Sequence, residues 1–113
     1  MASPYLVNGQ LSESALRGKA LFEASGCADC HSGTYYTDQK MYDVGTGWER
    51  DGETPYDTPT LLEMWRTAPY LHDGRAETLE ELLTLHNPDD RHGKTSRLNP
   101  GELEDLIEYI NSL

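Results

Sequence analysis

The stretch "SGCADCHSG", Ser25–Gly33, holds both cysteines of the chain and one of its four histidines. Its centre reads C-x-x-C-H, with Cys27, Cys30 and His31 as the fixed positions. That spacing is the attachment signature of a c-type haem. Two thiols add across the two vinyl groups of a porphyrin, and two intervening residues let both sulfurs reach from one turn of chain. His31, the next residue, then lies under the ring and can place an imidazole nitrogen on the iron.

Three other chemistries use closely spaced cysteines. A redox dithiol of the C-x-x-C type expects a strand before it and a thioredoxin-like context, and no strand pattern precedes Cys27. A zinc site needs two further ligands. His72, His86 and His92 are the remaining histidines, and none stands at zinc-like spacing. A disulfide between residues three apart closes a tiny loop and stabilises little. Haem is the reading that uses every residue of the motif.

The bulk composition agrees with a large cofactor. A chain of 113 residues allows one domain and buries only about two-thirds of its unfolded surface. Hydrophobic residues make up 36%, with ten glycines, six prolines and one phenylalanine. Mean hydropathy is -0.70. So lean a core gains from an added apolar body.

Nine basic and twenty acidic residues give a net charge of -11. This excludes a nucleic-acid or anionic-membrane partner, which needs clustered cations, and suits steering toward a basic docking face. No stretch approaches the ~20 apolar residues of a membrane span. The N-terminus "MASPYLVNGQ" has neither the basic nor the apolar region of a signal peptide. A protein working outside the cytoplasm would then be represented here by a mature piece or by a domain of a longer chain.

Four helical stretches are predicted. The first, Leu11 to Ser25, is capped by Ser12 or Ser14, with Leu16, Ala20 and Leu21 as its apolar stripe and Phe22 beside it. Gly18, costly in mid-helix, is expected where another helix crosses closely. Gly33 to Pro59 is rich in turn formers and reads as a loop, with room for a short hairpin. Such a loop must wrap around something. "TPTLLEMWRT" predicts a short helix capped by Thr58 with Pro59 at its first position. "TLEELLTLHN" predicts a third, with a Thr78–Glu81 capping box and Leu79, Leu82, Leu83 and His86 on one face. The fourth, "NPGELEDLIEYINSL", starts from Asn99 and Pro100 and lines up Leu103, Leu106, Ile107 and Ile110.

This order is that of a class I cytochrome c: helix, haem motif, loop, short helices, terminal helix. The expected fold is all-α, four to five helices around one covalent haem c, spanning residues 11–113 after an N-terminal extension of residues 1–10.

The sixth iron ligand decides between electron transfer and chemistry at the iron. Small cytochromes usually supply it from the loop before the last helix. That region, Thr84 to Asn99, holds no methionine but holds His86 and His92. Met41 lies elsewhere, and Met64, at helical spacing beside Leu61 and Trp65, reads as core. Bis-histidine ligation follows, with a lower potential than a His/Met pair. His86 shares the apolar face of its helix, whereas His92 sits in a polar loop before Gly93, whose missing side chain would let backbone pass close to the ring. Arg66 and Arg75 are candidate propionate partners, since guanidinium pairs bidentately with carboxylates. Trp48, Trp65 and Tyr70 read as packing around the ring.

The segment "DTPTLLEMWRTAPYLHDGRAETLEELL", Asp57 to Leu83, resembles the second haem domain of bacterial di-haem cytochrome c peroxidases and of their relatives that mature tryptophan-derived cofactors. The shared pattern is P-T-L, A-P-Y-x-H-D-G and T-L-E-E. The block "DRHGKTSRL" before the last helix is similar to that of single-haem domains attached to bacterial β-propeller proteins. In the peroxidases a methionine ligand follows the T-L-E-E helix. Counting forward from Thr78 puts that ligand at His86. Counting back from "RLNPGELEDL" pairs the family's Met-Gly with His92-Gly93, the alignment favoured by the R-H-G-x-T-S block. The resemblance also implies that His72 lies near the haem edge, bonding a propionate or positioning the loop.

A di-haem peroxidase needs a second C-x-x-C-H, which this chain lacks. The expected function is one-electron transfer for a larger enzyme or a fused domain, in the periplasm or otherwise outside the cytoplasm, where haem is attached covalently. The alternatives are a peroxidase-like enzyme domain with a displaceable sixth ligand, and a haem-based gas sensor.

Overall fold

Ser12 begins the first helix by accepting the Ala15 N–H on its hydroxyl at 3.1 Å. The helix, α1, runs Glu13–Ala24. The computed structural model describes residues 2–47 and 55–113. After α1 come a single tight turn at Cys27–Asp29, a two-residue strand β1 (Met41–Tyr42), its antiparallel partner β2 (Tyr56–Asp57), a second tight turn at Met64–Arg66, a short helix α2 (Leu79–Leu83) and the terminal helix α3 (Pro100–Asn111). Among the described residues there are thus three α-helices, fewer than the four to five expected, with one minimal ladder pairing Met41 with Asp57 and Tyr42 with Tyr56.

The dominant contact is the crossing of α1 and α3. A Cβ on Gly18 would lie 1.9 Å from the Asp105 carbonyl oxygen and 2.8 Å from the Tyr109 Cβ, so the crossing expected at Gly18 is there and admits no side chain. It also turns α1 about its axis relative to the predicted stripe. Ala15, Gly18 and Phe22 face inward, and Leu16 is 55% exposed. A helix approached this closely buries its small residues, and leucine at position 16 would hold the backbones apart. Phe22 reaches past the crossing to meet Tyr109 edge-on, with ring centres 5.2 Å apart. At the rim, Asp105 accepts hydrogen bonds from the Ser14 hydroxyl at 2.7 Å and from Arg17 Nε at 2.9 Å, which hold its carboxyl below the usual carboxylate range.

The terminal helix follows its sequence signals. Asn99 and Glu102 form a complete capping box, with bonds of 2.8 Å and 3.0 Å, and Pro100 opens the helix. Leu106, Tyr109 and Ile110 are buried, while Leu103 and Ile107 pack at the edge of the core. In α2, Thr78 caps the Glu81 N–H, but the Glu81 carboxylate takes the N–H of Glu77 at 3.0 Å instead of that of Thr78. The helix buries Leu79, Leu82 and Leu83 and stops there, leaving Leu85 exposed.

The helix expected from Thr58 to Thr67 does not form beyond the turn at Met64–Arg66. Its expected cap, Thr58, is engaged elsewhere, as is Thr60. The Thr58 N–H and hydroxyl both donate to the Lys40 carbonyl, at 2.9 Å and 3.0 Å. The Thr60 hydroxyl donates to the Tyr35 carbonyl. These bonds stitch the segment to the chain beside β1, in competition with helical geometry. At the N-terminus, buried Ser3 donates to the Asn111 carbonyl, tying the first residues to the end of α3.

Gly18→Ala is expected to cost about 1–3 kcal/mol by overpacking, read as a fall of roughly 5 °C or more in the Tm of the haem-loaded protein. An unchanged Tm would show that the helices can separate freely.

Candidate haem site

The first half of the site grows directly from the end of α1. Gly26 takes φ +85°, a left-handed conformation that turns the chain out of the helix. Cys27 to His31 then form one compact turn, the Cys27 carbonyl accepting the His31 N–H at 2.9 Å. Both cysteines are unpaired. Cys27 packs against the core, and burial pushes its thiol up to about 11. Cys30 is also raised by burial, partly offset by a hydrogen bond with Tyr42. The Tyr42 hydroxyl donates to Asp38 at 2.6 Å, and that bond raises it to about 12.

His31 is oriented through its own ring. Its Nδ1 lies 3.1 Å from the Tyr36 carbonyl oxygen. A carbonyl only accepts, so Nδ1 carries the proton and Nε2 presents its lone pair. This is the usual way an imidazole ligand is aimed. Burial lowers the pKa of His31, keeping it neutral.

The second half lies on the turn between α2 and α3. The His92 ring faces that of His31, with centroids 6.5 Å apart and planes inclined by 30°. An imidazole–metal bond is about 2 Å, so two such bonds and two ring half-widths separate the centroids of a metal-bridged pair by about 6 Å. Burial, with the neighbouring His31 second, lowers His92 to about 4, so it too is neutral at pH 7. Its Nδ1 is buried with no hydrogen-bond partner among the described residues. The donor chemistry and spacing therefore fit an iron held between the rings, with Cys27 and Cys30 tethering the porphyrin. Among the described residues no three His, Cys, Asp or Glu side chains converge as a metal-binding group, so the ligand set of a zinc site is not assembled.

The His92 turn is held from several sides. The Asn87 side chain accepts the His92 N–H at 2.9 Å and donates to the carbonyls of His92 and Gly93 and to the Thr95 hydroxyl. The Lys94 N–H donates to the Ser25 carbonyl at 2.9 Å, joining this turn to the cysteine motif. Gly93 has φ +87°, and a Cβ there would make only ordinary contacts, 3.7 Å from the Cys27 sulfur. The glycine supplies the left-handed backbone angle.

A sequence model of the cytochrome c family matches residues 15–113. The chain belongs to the cytochrome c family. Membership implies covalent binding of haem c and haem-based electron transfer. Over 59 residues the domain is 44% identical to hydrazine synthase subunit gamma of Kuenenia stuttgartiensis, covering 51% of this chain and 17% of that protein. It is 29% identical to the cytochrome-c peroxidase IdrP1 of Denitromonas iodatirespirans, over 91% of this chain and 41% of the relative. It is 28% identical to the methylamine utilization protein MauG of Methylorubrum extorquens, over 88% of this chain and 34% of the relative. Among solved structures, Kuenenia stuttgartiensis hydrazine synthase superposes with a TM-score of 0.87 and 32% identity, over 100% of this chain and 50% of that one. The cytochrome c domain thus spans half or less of each of these relatives.

The other sequence-predicted residues of this cytochrome c domain lie as follows. His72 stacks on Tyr56, ring centres 4.1 Å apart, with Nε2 3.2 Å from the tyrosine hydroxyl. Arg66 pairs with Glu63 at 2.5 Å. Arg75 pairs with Asp73 at 3.5 Å and donates to the Thr46 carbonyl. The His86 Nε2 and the Trp65 indole nitrogen are buried without a hydrogen-bond partner among the described residues. Tyr70 is buried and donates to the Met64 carbonyl at 2.7 Å. Met64 packs against the core and Met41 is exposed. Trp48 lies outside the described residues. Asn87 was not among the sequence-predicted residues, because "HNPDD" reads only as turn chemistry.

Intact-mass measurement after expression with haem-attachment machinery is expected to show one added haem. Cys27→Ala/Cys30→Ala is expected to retain none after denaturation. Haem that stays with that double variant would refute the attachment assigned to Cys27 and Cys30.

Proposed function

We propose that this domain is a one-electron carrier whose single haem takes His31 and His92 as axial ligands, and that it serves a larger protein or a fused domain outside the cytoplasm. The observation that carries the ligation is the pair of half-buried imidazoles with centroids 6.5 Å apart, both with pKa lowered by desolvation. When bound, the haem supplies an iron centre that cycles between two oxidation states. The chain does the rest. His31 presents Nε2 because Tyr36 holds its other nitrogen, and His92, on the turn held by Asn87, would supply the second imidazole. Two held ligands suit electron transfer, since little has to move when the charge changes. Peroxidase or gas-sensor chemistry needs a position at the iron that is open or easily vacated, and an imidazole at His92 held on its turn by Asn87 would disfavour both.

One C-x-x-C-H in the sequence argues for one haem. The net charge of -11 favours a basic docking face on the partner. Coverage of only part of each relative favours a partner domain or subunit. No helix among the described residues is long and apolar enough to cross a membrane.

Optical and EPR spectra of the ferric protein test the ligation. The wild type is expected to be low-spin and six-coordinate, His92→Ala to turn high-spin, and His86→Ala to stay low-spin. A low-spin spectrum that survives in His92→Ala would overturn it.

A further inference from the structure

An imidazole ligand is normally aimed by a hydrogen bond on its second nitrogen. His31 obeys this through Tyr36, but the buried Nδ1 of His92 has no hydrogen-bond partner among the described residues. Something else must fix the direction of the His92 ring. The candidate is Asn87, only 4% exposed and five residues upstream. Its Oδ1 accepts the His92 N–H at 2.9 Å. Its Nδ2 reaches the His92 carbonyl at 3.2 Å, the Gly93 carbonyl at 2.9 Å and the Thr95 hydroxyl at 3.0 Å. The orientation of the amide is unambiguous, because two of the three partners of Nδ2 are carbonyls that can only accept. The Thr95 hydroxyl in turn donates to the carbonyl of Leu83, the last residue of α2, at 2.6 Å. One side chain therefore grips both peptide groups of His92 and anchors them to a helix end.

We propose that Asn87 is the positioning residue of the sixth ligand: its amide, acting on the backbone of His92 and not on the imidazole, keeps that coordination position closed. The inference rests on the His31/His92 ligation proposed above. It implies that this haem is closed by a clamp in the protein and not by a tightly aimed ring. Weakening the clamp should convert an electron carrier into a ligand-binding haem with the covalent attachment intact. No charge changes at Asn87, so the effect is one of geometry.

The test uses the haem-loaded protein. Asn87→Ala, Asn87→Ser and Ser96→Ala are compared with wild type by ferric spectra and by the rate of carbon monoxide binding to the reduced protein. Ser96 belongs to the same turn but bonds only Asp90, so Ser96→Ala reports a merely loosened turn. Asn87→Ala is expected to show a high-spin fraction and to bind carbon monoxide faster, on the order of tenfold for each buried hydrogen bond lost. Asn87→Ser should fall between, and Ser96→Ala should match wild type. Spectra and rates unchanged in Asn87→Ala, or changed equally in Ser96→Ala, would overturn the proposal. His92→Ala separates the two readings: if it stays low-spin the ligation itself is wrong, and if it turns high-spin while Asn87→Ala does not, only the clamp is. Hydrogen exchange on wild type needs no variant to fold. Saturating cyanide is expected to speed exchange of the His92 amide, and a cyanide adduct with that amide still protected would contradict the clamp.

Discussion

The Asp105 carbonyl oxygen lies 1.9 Å from where a side chain at residue 18 would begin, and much of the site's geometry descends from that approach. It sets α1 and α3 in one relation to each other. The cysteine motif starts three residues after α1 ends, and the turn bearing His92 leads into α3. Arg97 adds a second tie there, donating to the Ala24 carbonyl at 2.7 Å. The two imidazoles face each other because the helices behind them cannot slide. Gly18 thus acts on the site from a distance, through rigid helices and not through any contact with a ligand.

Away from that crossing, the chain is held largely by side chains bonded to backbone. Thr58, Thr60, Asn87, Thr95 and Arg97 each close a segment by engaging a carbonyl or an N–H of another. Each such bond contributes about 1 kcal/mol net, and a buried one costs more when broken. This is how a sequence that is 36% hydrophobic fixes long irregular stretches. A covalently bound haem would add the apolar body that so lean a core lacks.

The features legible in the sequence were those with local causes. Ser12, Thr78 and Asn99 cap helices because their oxygens lie next to the N–H groups they satisfy. C-x-x-C-H fixes its own geometry within one turn, and Gly18 announces a crossing because nothing else explains a glycine there. What was misread had causes far along the chain. The stripe on α1 was assigned to Leu16 because periodicity rewards large apolar residues, whereas the close helix selected Ala15 and Gly18. The helix after Thr58 failed because the threonine bonds to Lys40, eighteen residues earlier. Asn87 was invisible for the same reason: a turn-forming asparagine and a clamping one look alike until the Gly93 and Thr95 groups are brought to it. That the ring near His31 is that of His92 is likewise a matter of residues some sixty apart in the chain.

Burial of Cys27 has a consequence for the order of assembly. A thiol reacts as its thiolate, and in the finished fold the Cys27 thiol is pushed up to about 11, so the reactive form is scarcest once folding is complete. The turn that carries His92 then closes close by, with the Lys94 N–H bonded to the Ser25 carbonyl. Thioether formation at Cys27 would therefore be favoured while the chain around the sulfur is still open. The turn bearing His92, with Gly93 beside that sulfur, would then close over a group that has already reacted.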